Sequence, residues 1–216
     1  VMKVESVVET DEVIDFLAEH FPSNETVLSA LRIKASPELR RLLRDTVTDC
    51  SGKGCVSRVM KDGQGRTVGV ILATAEVFLD KHLDRLYSYS FKEEPLRILN
   101  SFAQTVFNRL DIAYHLEQAA IRHPVFIALI CVRRDLWGKG IGRSLLKNVL
   151  SAGKELGCDG GFALASSERT DAILGQFLEN APQCVTYDSW KGEYKCPPIV
   201  PIDRLETKMV LRVGRI

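Results

Sequence analysis

The sequence lacks any apolar run long enough to cross a membrane. Its richest run, PVFIALICV at residues 124–132, has nine residues, whereas a membrane-spanning helix needs about 20. The first twelve residues, VMKVESVVETDE, turn acidic at once and have no apolar core of the kind that a signal peptide carries. We therefore expect an intracellular, cytoplasmic protein that works without a membrane.

The sequence also lacks an excess of either charge. Its 29 Lys and Arg residues nearly balance its 28 Asp and Glu residues, for a net charge of +1. A general nucleic-acid-binding protein normally carries a basic excess, so this balance argues against a nucleic-acid partner. A local basic patch for a small phosphorylated ligand remains compatible with it.

Paired cysteines are a third absence. The six cysteines form no CxxC pair and show no metal-ligand spacing. In an intracellular protein such cysteines are typically reduced thiols. We therefore expect neither disulfides nor a metal site.

What is present is an ordinary globular composition, with 216 residues of which 45% are hydrophobic. That length fits a single domain over residues 1–216, and the hydrophobic periods alternate between those of strands and helices. An α/β fold follows, in which the crossover at residues 124–165 should place two strands in parallel. The expected strands are Lys3–Val8, Cys55–Met60, Thr67–Ala75, Pro124–Val132, Gly161–Ala165, Val185–Tyr194 and Glu206–Val213. The first expected helix starts after an N-cap at Thr10 and breaks at Phe21-Pro22-Ser23. The other expected helices are Asn24–Ile33, Pro37–Val47, Phe91–Glu117 with an interruption at Leu110-Asp111, Gly138–Leu156 and Thr170–Leu178. Phe78–Phe91 is expected to be a loop.

The most informative motif is the glycine-rich turn at residues 138–142, which reads GKGIG. It follows an apolar strand and begins an amphipathic helix. The exposed N–H groups at a helix start carry about half a positive charge and favour an anion, typically phosphate. Lys139 and Arg143 add full positive charges beside them, so the turn predicts a phosphate site.

Three phosphate motifs were compared with this turn. The Walker motif fails because Lys139 is followed by Gly140, where Ser or Thr is required. The dinucleotide fingerprint fails because Arg143 stands where its third glycine should be. Residues 138–142 match the last five positions of the pattern (Arg/Gln)-x-x-Gly-x-(Gly/Ala), and the sequence departs from it at the first position, where Trp137 replaces Arg or Gln. On this motif the sequence resembles the GNAT superfamily of N-acetyltransferases; the alternative is a glycine-rich turn that binds no ligand.

The resemblance covers most of the chain and is strongest to the arylalkylamine N-acetyltransferase-like branch found in insects and nematodes. It implies the GNAT fold, a mixed central sheet of about six to seven strands flanked by helices, with splayed parallel central strands. It also implies acetyl transfer from acetyl-coenzyme A to a small-molecule amine, by direct attack in a ternary complex and with no metal. The residues implied to bind the cofactor are Cys131, Val132, Trp137, Gly138, Lys139, Gly140, Ile141, Gly142 and Arg143, with backbone groups near Cys131 and Val132 bonding the pantetheine amides.

The same resemblance suggests the catalytic residues. The segment Phe16–Val27 is similar to the branch's aromatic and acidic motif, which makes Glu25 the candidate general base; the alternative is a solvated carboxylate in the first turn of a helix. Ser166 and Thr170 match the branch's two hydroxyl positions near the coenzyme A sulfur. The alternative there is helix capping by Ser167 or Thr170.

The sequence leaves the amine open. An aromatic slot could come from Phe21, Leu28, Leu31, Tyr87, Tyr89 and Phe91, with Tyr187 and Tyr194 added, and would suit an arylalkylamine. Carboxylates at Asp80, Asp84, Glu93 and Glu94 could instead suit a polyamine. A non-catalytic acyl-coenzyme A-binding module is a further alternative. We expect a monomer or a homodimer.

Overall fold

The architecture is a seven-stranded sheet with helices on both faces. The computed structural model describes residues 2–7, 11–75, 79–186 and 208–216. The strands are β1 (Lys3–Ser6), β2 (Arg58–Lys61), β3 (Thr67–Thr74), β4 (Pro124–Val132), β5 (Gly160–Ala165), β6 (Asn180–Thr186) and β7 (Lys208–Arg215). The helices are α1 (Asp11–Asn24), α2 (Thr26–Ala30), α3 (Pro37–Asp49), α4 (Leu79–Ser88), α5 (Glu94–Arg109), α6 (Ile112–Gln118), α7 (Ile141–Glu155) and α8 (Glu168–Leu174).

The sheet is mixed, in the order β1-β2-β3-β4-β5-β7-β6. Its central pair, β4 and β5, is parallel, and α7 forms the crossover between the two strands. All other neighbours are antiparallel, including the β2–β3 hairpin. The expected α/β class, with a mixed sheet of this size around two parallel central strands, is confirmed.

Helices cover the sheet as two layers. On one face, α7 and α8 pack on the central strands through side chains such as Leu145, Val149 and Leu174. On the other face, α1 and α3 cover β2, β3 and β4, while α5 and α6 lie toward β6 and β7. In the part of the chain that the structure describes, no helix is both long and apolar enough to span a membrane.

Two expectations about helix limits were wrong. Pro22 does not break α1, which continues to Asn24. A proline in the last turn removes a single backbone donor, and the next turn still forms, with the Glu25 N–H donating to the Phe21 oxygen at 2.9 Å. The segment expected as a loop before Phe91 contains α4, whose tenth and last residue is Ser88.

Other elements match the expected type with shifted limits. The interruption at Leu110-Asp111 is confirmed, because the Asp111 side chain caps α6 by accepting the Tyr114 N–H. Strand β6 begins at Asn180, five residues before the expected start. Thr10, Tyr187, Tyr194 and the proline-rich connection that precedes β7 lie outside the described residues.

The two central strands separate halfway along β4. Their pairing begins at Pro124 and Gly160 and ends at Ile127 and Ala163, although β4 continues to Val132. The β3 register also shifts at this point, pairing Leu72 with Leu129 but Ala73 with Ile127. Ala128 is therefore an extra residue, a bulge of the kind that bends a strand. The result is a gap between the second half of β4 and the end of β5.

Candidate active site

The glycine-rich turn has the backbone geometry of an anion cradle. Gly138 and Gly140 have φ angles of 77° and 76°, in the left-handed region that favours glycine. Gly140 is the N-cap of α7 and provides no side-chain hydrogen bond to the helix. The first N–H groups of a helix have no partner within the helix, so those of α7 are available to a ligand. Lys139 and Arg143 are exposed beside them.

Trp137 occupies the first position of the glycine motif and is held by three contacts. Its Nε1 donates to the Val132 oxygen at 2.9 Å. The guanidinium carbons of Arg169 and Arg134 lie 3.8 and 5.4 Å from the centre of an indole ring, within the range of cation–π attraction. Arg169 belongs to α8, so the indole links the glycine turn to the opposite wall.

A cleft of about 400 Å³ runs between these walls. The residues expected to bind the cofactor that line it are Val132, Trp137, Gly138, Gly140, Ile141, Gly142 and Arg143. Arg169, Ile173 and Gln176 of the α8 region also line it. The cleft is lined by the cationic Arg143 and Arg169 and by apolar side chains such as Ile141 and Ile173. This lining suits a phosphorylated ligand with an extended arm.

The backbone of β4 is divided between β3 and the gap. The Arg133 N–H donates to the Val68 oxygen at 3.0 Å, and the same register pairs Cys131 with Val70. Alternate residues of an antiparallel strand bond to the same neighbour, so Cys131 directs its N–H and C=O to β3. Ile130 and Val132 direct theirs into the gap. Of the two residues expected to bond the pantetheine amides, Val132 has the required orientation and Cys131 does not; Ile130 replaces it.

The Cys131 side chain is buried, with 1% of its surface exposed. Burial raises the pKa of its thiol to about 12, although a hydrogen bond from Asn24 opposes the change. The thiolate is the nucleophilic form of cysteine, and this thiol therefore stays protonated at neutral pH. A covalent acyl-cysteine route through Cys131 is disfavoured.

A second cavity, of about 210 Å³, opens in the gap between β4 and β5 and is called the acceptor cavity below. Its walls are mostly apolar, with four phenylalanines from α1, α5 and β4. The lining residues are Phe21, Asn24, Glu25, Val27, Leu28, Leu99, Phe102, Ala103, Val106, Phe107, Phe126, Ile127, Ala128, Leu129, Ile130, Leu164, Ser166, Thr170 and Met209. Among these described residues, Glu25 is the only one with an ionisable side chain.

Glu25 lies at the junction of α1 and α2. It has extended backbone angles, φ −93° and ψ 132°, and is the N-cap of α2. Its Oε2 accepts the Leu28 N–H at 2.6 Å, which fixes the carboxylate at the wall of the acceptor cavity. The sequence offered a solvated carboxylate in the first turn of a helix as the alternative; the structure instead places Glu25, half-buried, at the N-cap of α2, and the capping hydrogen bond orients its carboxylate.

The hydroxyls of the β5–α8 turn have separate roles. Ser167 is the N-cap of α8, because its Oγ accepts the Thr170 N–H at 3.1 Å. The same Oγ donates to the Thr170 Oγ1 at 3.0 Å. Ser166 and Thr170 both line the acceptor cavity, and Thr170 lines the cofactor cleft as well.

The acceptor cavity and the cofactor cleft share Asn24, Ile130 and Thr170. A group at the end of an arm in the cleft would therefore meet a molecule in the cavity at this junction. Glu25 is far in the sequence from Ser166 and Thr170, yet all three border the acceptor cavity. This arrangement brings together a carboxylate that can accept a proton, hydroxyls that can donate one, and backbone groups of an open strand edge.

Sequence reasoning missed most of the acceptor cavity wall. Phe21 and Leu28 line it as considered, but Leu31 does not. Tyr89 and Phe91 stack on each other in the core, and Tyr87 is exposed and bonded to Asn108. The wall comes instead from α5, through residues spaced at three and four, a signal that the sequence carried at Leu99, Phe102 and Val106. Asp84, Glu93 and Glu94 lie outside the cavity.

Comparison with known proteins finds the same fold in solved structures and a matching family model. The model of the acetyltransferase (GNAT) family matches residues 33–173. Among solved structures, arylalkylamine N-acetyltransferase 2 from Aedes aegypti has a TM-score of 0.79 at 16% identity, covering 100% of this chain and 99% of that one. A polyamine N-acetyltransferase of Drosophila melanogaster, which forms N-acetylagmatine, has a TM-score of 0.75 at 15% identity and covers 100% of both chains. No curated protein sequence matches this chain.

Proposed function

This chain belongs to the acetyltransferase (GNAT) family, and from that premise we propose that it transfers an acetyl group from acetyl-coenzyme A to the amine of a small, arylalkylamine-like molecule. One observation carries the proposal. Among the described residues, the acceptor cavity is lined by four phenylalanines and one carboxylate, Glu25, and it meets a cationic cleft at Asn24, Ile130 and Thr170. An apolar molecule with one cationic amine fits that lining.

The cofactor would lie along the cleft. The N–H groups at the start of α7, with Lys139 and Arg143, would hold its diphosphate. Its pantetheine arm would follow the open edge of β4 toward Ile130. The unpaired backbone N–H at that edge would polarise the acetyl carbonyl, as a small oxyanion hole.

The reaction needs three proton movements. The substrate ammonium loses a proton to Glu25, directly or through water, and the free amine nitrogen forms a bond to the thioester carbon. The carbon–sulfur bond then breaks, and the thiolate of coenzyme A takes a proton from a hydroxyl at the junction. The nitrogen gives up its second proton to that hydroxyl oxygen, directly or through water, which restores the hydroxyl and leaves a neutral amide. The products are an N-acetylated amine and coenzyme A with a free thiol, which balances atoms and charge apart from the proton held by Glu25.

The polyamine alternative has less support from the cavity. A polyamine carries several positive charges and would need several carboxylates, but Glu25 is the single one among the described lining residues. We therefore expect tyramine-like and indole-ethylamine-like substrates to have a higher kcat/KM than agmatine or spermidine. Higher kcat/KM for the polyamines would contradict the arylalkylamine assignment.

The decisive experiment compares Glu25→Gln with the wild-type enzyme in an assay of thiol release from acetyl-coenzyme A. Glutamine keeps an acceptor for the Leu28 N–H but cannot take a proton at neutral pH. We expect kcat to fall by about 10² to 10³, the range of a lost general base, while the affinity for coenzyme A, measured by calorimetry, is unchanged. The matched control is Glu19→Gln, an exposed position of α1 outside both cavities.

Two outcomes would overturn the proposal. A wild-type protein that binds acetyl-coenzyme A but releases no thiol with any amine would be a non-catalytic acyl-coenzyme A-binding module. Unchanged kcat in Glu25→Gln would remove Glu25 as the base.

A further inference from the structure

Asn24 has a buried acceptor with no use inside the fold. Its Nδ2 donates to the Val132 oxygen at 2.9 Å, while its Oδ1 is buried and has no hydrogen-bond partner among the described residues. The orientation of the carboxamide is fixed, because the reverse orientation would place two oxygens against each other. A buried acceptor without a partner is costly, which points to a donor that arrives from outside the fold.

The Val132 oxygen is already saturated. It accepts Asn24 Nδ2 and Trp137 Nε1, both at 2.9 Å, and a carbonyl oxygen has two lone pairs. An amide that lies against a strand edge donates its N–H to an edge carbonyl. At Val132 that acceptor is occupied, so an amide N–H in this part of the cleft needs another oxygen.

Asn24 can supply that oxygen from the junction, where it borders both the cofactor cleft and the acceptor cavity. It lines the cofactor cleft together with Val132 and Trp137, neither of which borders the acceptor cavity. The Asn24 carboxamide is hydrogen-bonded to Val132 of β4. The neighbouring Glu25 borders the acceptor cavity and not the cleft. The charged substrate ammonium therefore has the carboxylate, and the neutral carboxamide remains for a neutral donor.

We propose that Asn24 Oδ1 accepts an amide N–H of the pantetheine arm of coenzyme A, in place of the Val132 carbonyl that Asn24 itself covers. The inference rests on the proposed function, since it requires coenzyme A in the cleft. Asn24 is then a cofactor-binding residue at the end of α1, far in sequence from the glycine turn. The Asn24 Nδ2 occupies the Val132 oxygen, and the Asn24 Oδ1 accepts the pantetheine N–H instead. The arm therefore reaches the junction without an unpaired N–H.

The test separates the pantetheine arm from the nucleotide. Calorimetry with coenzyme A and with adenosine 3′,5′-bisphosphate, which lacks the arm, is performed on wild type and Asn24→Leu. Leucine has nearly the shape of asparagine and still covers the Val132 oxygen, but it has no acceptor. We expect coenzyme A to bind about tenfold more weakly, the loss of one hydrogen bond, with unchanged affinity for the bisphosphate.

Asn24→Ala is the second variant and protects the test against poor folding of the leucine protein. It should also lose affinity for coenzyme A alone, but by less, because the Val132 oxygen becomes accessible to the arm. Ser23→Ala, one residue earlier and outside both cavities, should change neither affinity.

Three results would overturn the inference. Unchanged coenzyme A affinity in Asn24→Leu would remove the hydrogen bond. Equal losses for both ligands would mean that Asn24 merely supports the end of β4. A higher KM for the amine with unchanged coenzyme A affinity would assign Oδ1 to the substrate. If the wild-type protein binds coenzyme A, these results leave the proposed function intact; if it binds neither ligand, both proposals fail together.

Discussion

Thr170 and Ser166 differ in their position relative to the junction. Both hydroxyls border the acceptor cavity, but only Thr170 also borders the cofactor cleft. The Thr170 Oγ1 accepts a hydrogen bond from Ser167, so its own proton remains available to a further acceptor. The coenzyme A sulfur would lie where the cleft meets the cavity, and Thr170 is therefore the better placed donor to the leaving thiolate.

We predict that Thr170→Val lowers kcat by about 10²-fold, the low end of what a general acid contributes, while Ser166→Ala has a smaller effect. Valine keeps the shape of threonine and removes the hydroxyl. Steady-state kinetics with acetyl-coenzyme A and one arylalkylamine measures both variants. Equal losses in the two variants would contradict the distinction between the hydroxyls.

Ser167→Ala is the control for the local fold of this turn. Because Ser167 caps α8, its removal should lower the free energy of unfolding by about 1 kcal/mol. A thermal melt of each variant then separates loss of stability from loss of the hydroxyl proton.

At the scale of elements, the start of α7 is the part that we propose to hold the cofactor. Gly140 has a left-handed backbone, and an added Cβ there would meet no atom within 4 Å. Strain at this position would therefore come from the backbone angles and not from packing. Gly65, in the β2–β3 turn, has the same property, with φ 77° and no atom within 4 Å of an added Cβ.

Because Gly140 and Gly65 share this geometry, their alanine variants form a matched pair. We predict that Gly140→Ala and Gly65→Ala each lower the free energy of unfolding by about 1–2 kcal/mol, the cost of a left-handed residue with a Cβ. Only Gly140→Ala should also weaken coenzyme A binding, because relief of the strain moves the N–H groups at the start of α7. Calorimetry and urea unfolding measure the two effects.

Wild-type affinity for coenzyme A in Gly140→Ala would mean that these N–H groups do not hold the diphosphate. An acyl-cysteine route would not explain turnover in that case, because burial raises the pKa of the Cys131 thiol to about 12.

For the molecule as a whole, the crossover helix packs closely against the half of β4 that stays paired with β5. A Cβ added to Gly153 of α7 would lie 2.3 Å from the Val125 Cγ2 on β4, well inside van der Waals contact. Val125 belongs to the half of β4 that stays paired with β5. This contact holds α7 against the paired half, while the other half separates and opens both cavities.

We predict that Gly153→Ala lowers the free energy of unfolding by about 1–3 kcal/mol, the usual cost of overpacking a core, even though alanine is the better helix former by about 1 kcal/mol. Gly52→Ala is the control, since an added Cβ there meets no atom within 4 Å and the residue is exposed. Urea unfolding measures both variants. A more stable Gly153→Ala protein would contradict the close approach of α7 to β4.

Much of this whole-molecule arrangement was predictable from the chain. The alternation of periods predicted the β2–β3 hairpin, the strand at residues 124–132 and the helix that follows the glycines, because these signals are local. The glycine motif predicted a tight turn before a helix, because the positive φ angles at Gly138 and Gly140 are a property of a few consecutive residues. The resemblance to one family predicted the mixed sheet and its parallel central pair.

The sequence by itself determined most of the element types and the glycine turn before α7, and its resemblance to one family made Glu25 the candidate base. Only the tertiary structure decided that α5 supplies the cavity wall, that Cys131 directs its backbone to β3, and that Asn24 is left with a buried acceptor beside Val132. The reason is physical. Periodicity and turn chemistry act between near neighbours, whereas the direction of a strand carbonyl and the lining of a cavity depend on register and packing between residues more than 100 positions apart, as Asn24 and Val132 are.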